Sequence, residues 1–218
     1  MVLIPAHNEE NFIGNVVKRA SPFVAEVVVV DDGSTDLTAK VAFDAGATVI
    51  KHPQNKGKGA ALWTGLQYAL KKKYKAVLTM DGDGQHLPEE IPKLVACYRQ
   101  SGAGVILGCR PRNIRNMPLD RLVTNWFTSL LISLLVRQRI RDSQCGFRII
   151  DAQVIPHLSL ATSHFDTESE ILVQTSRNGF KISEVEISTI YGSEKSKIKP
   201  GRDTRRFFRF FFRSLLRR

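Results

Sequence analysis

The rhythm of residues 1–110 restricts most what this chain can become. Met1 to Ile4, Glu26 to Val30, Ala47 to Ile50, Ala76 to Met80 and Gly104 to Leu107 are short apolar runs that read as strands. Between them, Glu9 to Arg19, Leu37 to Ala45, Ala60 to Lys71 and Glu89 to Gln100 read as helices. Strands separated by helices rather than by hairpins are joined in parallel, so the pattern predicts an α/β fold with a mostly parallel sheet covered by helices. Asp36 is placed to cap the second helix, and Pro88 suits the first turn of the fourth, where its missing N–H is not needed.

In such a sheet the crevice beyond the strand carboxyl ends is where ligands bind. Three of these ends carry unusual chemistry: Pro5-Ala6-His7-Asn8-Glu9-Glu10 after the first strand, Asp31-Asp32-Gly33-Ser34-Thr35-Asp36 after the second, and Met80-Asp81-Gly82-Asp83-Gly84-Gln85-His86 after the fourth. Asp-Asp-Gly-Ser alone is also a good turn and helix cap. Three such ends together converge on one edge of the sheet. Asp81 and Asp83, two apart on an extended turn, can approach one Mg²⁺ or Mn²⁺ and leave positions open for phosphate oxygens. A calcium EF-hand loop is excluded, because its sixth and twelfth places would be His86 and Pro92 instead of Gly and Glu. The segment Asn55-Lys56-Gly57-Lys58-Gly59-Ala60-Ala61 opens a helix as a phosphate site would. With Leu62 at the third small position and no GK[ST], it is neither a dinucleotide fingerprint nor a P-loop.

Of the net charge of +11, the stretch from Lys195 to Arg218 carries +9. A basic extension on a nearly neutral body points to an anionic surface met by one end of the molecule. Cys97, Cys109 and Cys145 are odd in number and widely spaced, as expected of reduced thiols in the cytoplasm. Met1-Val2-Leu3-Ile4 lacks the pattern of an export signal. The charge-free stretch Leu122 to Val136 is 15 residues, short of the roughly 20 that span a bilayer. The expected location is the cytoplasmic face of a membrane, peripherally bound.

Taken in order, Pro5-Ala6-His7-Asn8-Glu9, Asp31-Asp32-Gly33-Ser34, Asn55-Lys56-Gly57-Lys58-Gly59, Asp81-Gly82-Asp83-Gly84-Gln85, Asp142-Ser143-Gln144-Cys145-Gly146-Phe147-Arg148 and Phe165-Asp166-Thr167-Glu168 resemble the motifs of family 2 glycosyltransferases. Within that family the chain looks most like the dolichyl-phosphate mannose synthase and polyprenyl-phosphate glycosyltransferase branch. The resemblance implies a GT-A, Rossmann-like fold, a nucleotide sugar donor, Mg²⁺ or Mn²⁺ as cofactor, and transfer with inversion onto a lipid phosphate. It implies that Pro5, His7, Glu9, Val30 and Asp32 hold the nucleotide, with Asp32 accepting from the base edge. It also implies that Asp81, Gly82, Asp83 and Gln85 bind the diphosphate, with Asp81, Asp83 and Gln85 on the metal. Arg110 stands where the branch has an Arg beside the donor, and Lys197 matches a late phosphate-contacting lysine. Asp142 is the candidate for orienting the acceptor or an arginine, with Arg148 in the same motif on the substrate. Asp83, Arg110 and Asp142 form the expected catalytic set. His7 stands in place of the usual Tyr or Phe and Cys109 in place of Ser or Thr, departures that bear on donor preference.

From Leu119 to Arg137, Arg121, Asn125, Ser129, Ser133 and Arg137 recur every four residues along an otherwise apolar helix. The expected form is an acceptor-side helix at about 119–137, its apolar flanks on lipid and its stripe, with Arg121, toward the site; the alternative is a core helix with tolerated hydroxyls. Arg112 and Arg115 precede it as a phosphate cradle. The expected catalytic domain is 1–200, followed at 201–218 by a basic amphipathic membrane-associating helix. There six arginines fall within an arc of roughly 120° opposite Phe207, Phe208, Phe211, Phe212 and Leu215. Its alternative is a charge run with the Phe face docked on the domain. No nucleic-acid module is recognisable, so no nucleic acid is expected. Two rival functions remain at this stage: transfer to a soluble saccharide, and a catalytically silent adaptor for membranes or nucleic acids.

Overall fold

The computed structural model describes residues 1–111, 119–160, 166–188, 190 and 200–216, without the side chains of 119–123, 166 and 200–204. Strands β1 (Val2–Ala6), β2 (Val27–Asp31), β3 (Thr48–Lys51), β4 (Ala76–Thr79) and β5 (Val105–Cys109) fall within one or two residues of the expected runs. Helices α1 (Ile13–Ala20), α2 (Thr38–Asp44), α3 (Lys58–Lys71) and α4 (Ile91–Ser101) alternate with them. Asp36 Oδ1 accepts from the Thr38 amide at 2.9 Å, and Pro88 opens the short 3₁₀ turn that leads into α4.

Two further strands, β6 (Arg148–Asp151) and β7 (Ile182–Glu186), went unanticipated. The sheet order is β3-β2-β1-β4-β6-β5-β7 among the described residues. All pairings are parallel except those of β6, which runs antiparallel to both β4 and β5. Because of that reversal, the amino end of β6 reaches the same edge as the carboxyl ends of its neighbours, with Arg148 opposite Thr79. Every side chain of β2 is buried, as a strand covered on both faces requires. The helix layer sits close: a Cβ on Gly65 of α3 would lie 2.1 Å from Leu3 Cδ1 of β1.

Three further α-helices are present among the described residues: α5 (Leu119–Val136), α6 (Asp166–Arg177) and α7 (Pro200–Leu216). The hydroxyl stripe of α5 faces inward, with Ser129 fully buried and Ser133 Oγ accepting from the Ile140 amide at 2.9 Å. Its opposite side leaves Trp126, Phe127, Leu130 and Leu134 exposed. The tail helix divides its surface. Phe207 and Ser214 are buried, the Ser214 carbonyl accepts from the Arg177 guanidinium, and Phe208 packs against Phe127 with ring centres 6.2 Å apart. Phe212, Leu215, Arg205, Arg209 and Arg213 remain exposed. Part of the Phe face is therefore docked on the domain. Among the described residues, no helix is long and apolar enough to cross a membrane.

Candidate active site

The loops after β1 and β2 are stapled to one another. Asn8, in the left-handed region at φ 57°, accepts from the Thr35 amide through Oδ1 at 2.9 Å, while its own amide donates to Ser34 Oγ at 3.0 Å. The Glu9 amide donates to Thr38 Oγ1 at 2.8 Å, and His7 Nδ1 donates to the Asp32 carbonyl at 3.0 Å. The Asp32 carboxylate is buried and turned toward the opening of α3. It accepts from His52 Nδ1 at 2.6 Å, the Lys56 amide at 3.0 Å and the Gly57 amide at 2.7 Å. Its placement at a helix amino terminus accounts for this, since free amides there favour an anion. The expected base-edge acceptor thus also shapes the Lys56–Gly57 loop. Val30 is fully buried, between Pro5 of β1 and Ile50 of β3.

Beyond β4 the acidic turn meets a cation from α3. Lys58 Nζ lies 2.6 Å from Asp81 Oδ1 and 2.6 Å from Glu168 Oε1 at the start of α6. Burial acts against the Lys58 ammonium, but Asp81 and Glu168 outweigh it and raise its pKa. Burial likewise opposes the Asp81 carboxylate, and the charges of Lys58, His86 and Arg110 bring its pKa down. Beside this pair, Glu168 Oε2 is buried without a hydrogen-bond partner among the described residues. The turn itself is closed by Asp83 Oδ1 accepting from the Gln85 amide at 3.0 Å, with Gly84 at φ 77°. Gly82 is buried against Ile4 and Ile13, and the Gln85 carbonyl accepts from the Ile190 amide at 3.1 Å.

The reversed strand brings in the third wall. A Cβ on Gly146 would lie 2.8 Å from Asp81 Oδ2, so glycine there admits the carboxylate. Arg148, expected on the substrate, is instead 1% exposed, and its guanidinium donates to the carbonyls of Cys145 and Glu168. It ties the two loops together, and burial lowers its pKa. Arg110, just past β5, forms a two-pronged pair with Asp142 at 2.6 and 3.0 Å. Burial would raise the Asp142 pKa, but Arg110 pulls it below the ordinary carboxylate value. One residue on, the Ser143 amide donates to Ser129 Oγ of α5 at 3.0 Å.

Pro5, Lys58, Asp81, Gly146, Arg148 and Glu168 thus line one small cavity, and Asp142 with Arg110 stands nearby. Lys197, Arg112 and Arg115 lie outside the described residues, as does the side chain of Arg121. Lys58 and His52 received no role from sequence, although Lys58 lies in the glycine-lysine segment; His86 was part of the acidic stretch without a role of its own, and Glu168 was near the site by resemblance only. No cluster of three His, Cys, Asp or Glu side chains among the described residues forms a cage for a metal. Asp81 and Asp83 are nonetheless hard oxygen donors. One or two carboxylates completed by substrate phosphates is the usual way Mg²⁺ is held, so the donor set fits such a cation.

A family model, Glycosyl transferase family 2, matches residues 1–158. The chain is 33% identical to the UDP-N-acetylglucosamine–dolichyl-phosphate N-acetylglucosaminyltransferase of Methanococcus voltae, covering 99% of this chain and 94% of that protein. It is 30% identical to the polyprenol monophosphomannose synthase of Mycolicibacterium smegmatis, covering 86% and 76%. Among solved structures, glucosyl-3-phosphoglycerate synthase of Mycobacterium tuberculosis, in complex with Mn²⁺, UDP and glucosyl-3-phosphoglycerate, superposes with a TM-score of 0.75 at 24% identity, covering 99% and 77%. That likeness identifies the fold as GT-A. The chain belongs to glycosyltransferase family 2 and is an enzyme of that family.

Proposed function

We propose that this enzyme transfers a hexose, with inversion, from a nucleotide sugar of the GDP-mannose or UDP-glucose type to a polyprenyl or dolichyl phosphate. The reaction takes place at an anionic membrane surface, on its cytoplasmic face. The supporting observation is the position of α5. One side of this helix exposes Trp126, Phe127, Leu130 and Leu134, while the other bonds through Ser129 to Ser143, next to the Asp142–Arg110 pair. An acceptor with an apolar tail and a phosphate head fits that juxtaposition. Relatives named for action on dolichyl and polyprenyl phosphates support the same reading.

A phosphate monoester has a second pKa near 6, so the acceptor is largely ionised at neutral pH and needs no strong base. One of its oxygens attacks the anomeric carbon as the bond to the nucleoside diphosphate breaks on the opposite face. Arg110, oriented by Asp142, stands beside the donor and offsets the charge repulsion between the diphosphate and the approaching phosphate. Asp81, Asp83 and Gln85 would hold Mg²⁺ or Mn²⁺, which when bound supplies positive charge to the diphosphate. Residues 1–200 carry the catalysis, and the basic segment 201–218 adds membrane attachment.

The test is a screen of UDP- and GDP-sugars with Mn²⁺ or Mg²⁺ and a short polyprenyl phosphate, reading lipid-linked sugar. Turnover only on soluble saccharides would overturn the acceptor assignment. Absence of nucleotide-sugar binding in calorimetry would favour the silent adaptor.

A further inference from the structure

The last sheet bond on this side of β4 runs from the Met80 amide to the Leu3 carbonyl. The next amide, that of Asp81, leaves the ladder and donates to His86 Nδ1 at 3.2 Å, closing the acidic turn across five residues. His86 is 3% exposed. Its ring stacks on fully buried Phe147, with centres 5.2 Å apart and planes inclined 23°, and Nε2 faces Cys145 Sγ at 3.9 Å. Phe147 and Cys145 flank Gly146, which touches the Asp81 carboxylate from the other side. The imidazole is therefore locked in orientation by the loop that forms the opposite wall of the site. It offers its acceptor to the one backbone amide whose position sets the Asp81 side chain.

We propose that His86 is the positioning residue of the acidic turn, accepting the Asp81 amide so that the Asp81 and Asp83 carboxylates stand ready for a cation and a nucleoside diphosphate. It touches neither ligand and acts through Asp81. This rests on the reading of that turn as the donor diphosphate site. A merely structural histidine would lower stability when replaced and leave ligand affinity in the folded protein unchanged.

The experiment titrates the full chain with UDP and with GDP in the presence of Mn²⁺, by calorimetry, alongside thermal unfolding of each variant. His86→Asn keeps an acceptor near the Nδ1 position, whereas His86→Gln moves it outward and His86→Leu removes it. Loss of one such bond should weaken nucleotide binding about 3- to 10-fold in His86→Leu and His86→Gln. His86→Asn should stay within about 3-fold of the unsubstituted chain. Equal affinities in Asn and Gln, or the reverse order, would overturn the inference even if the Leu variant fails to fold. If the unsubstituted chain binds neither nucleotide with Mn²⁺, the donor-site reading itself falls and takes this inference with it.

Discussion

Lys58 Nζ sits 2.6 Å from Asp81 Oδ1, so the leading carboxylate of the acidic turn is already paired with a cation from the adjacent helix. The same ammonium holds Glu168, which is buried, while Lys58 and Asp81 are partly within reach of solvent. Lys58→Met should leave two neighbouring carboxylates uncompensated. Because the Lys58 side chain is 27% exposed, the expected loss is about 1–2 kcal/mol, below that of a fully buried pair. Denaturant unfolding measures it, and transfer activity should fall at least tenfold on the same protein.

Asp83 differs from Asp81 in being held by its own turn, through the Gln85 amide. Asp83→Ala should abolish transfer while circular dichroism and thermal unfolding stay close to those of the parent. Full activity in that variant would remove the cation site from the mechanism.

Gly146→Ala asks for a methyl group 2.8 Å from Asp81 Oδ2. Either the carboxylate or the strand entry must move. An expected cost of about 1–3 kcal/mol in stability should accompany a larger loss of nucleotide binding than of folding.

Burial, only partly offset by Asp81, lowers the His86 pKa from 6.5 to about 4. The folded protein keeps this imidazole neutral while the unfolded chain takes up a proton between those values. Stability is therefore complete above pH 6.5 and declines as pH falls toward 4, by on the order of 3 kcal/mol from this group. Metal-free unfolding of the parent and of His86→Asn across that range should show the acid-side decline reduced in the variant.

Replacing Arg205, Arg209 and Arg213 by Gln leaves the docked Phe207 in place while removing exposed charge from α7. At about 1 kcal/mol per arginine, binding to anionic vesicles should weaken by roughly two orders of magnitude. Co-sedimentation that does not change would reject the membrane-surface role of this helix.

Much of the scaffold was legible because β1 to β5 are continuous apolar runs with helices between, and periodicity reports burial directly. β6 was hidden because it is four residues long and begins with Arg148, a charge that reads as surface until its carbonyl partners are seen. The alternation in Ile182–Glu186 is short and polar on one face, giving β7 little apolar signal. Within the site, Asp81 and Asp83 were visible as carboxylates at a strand end, while Arg110 and Asp142 came only with the family resemblance. The hydrogen bonds that tie Asp32 to the Lys56–Gly57 loop were not visible, since a carboxylate that caps a distant helix has no local signal for it. Lys58 and Glu168 lie 110 positions apart, and only tertiary packing joins them.

The antiparallel course of β6 also has a consequence for the order in which the molecule assembles. β4 can pair with β1 early in synthesis, but Gly146 and Arg148 meet the acidic turn only after the chain has passed α5 and folded back between β4 and β5. Such non-local pairings are slow to form. A nascent chain ending near residue 140 would carry its acidic turn unwalled, so competence for binding should arrive late and abruptly, when one short strand slots home.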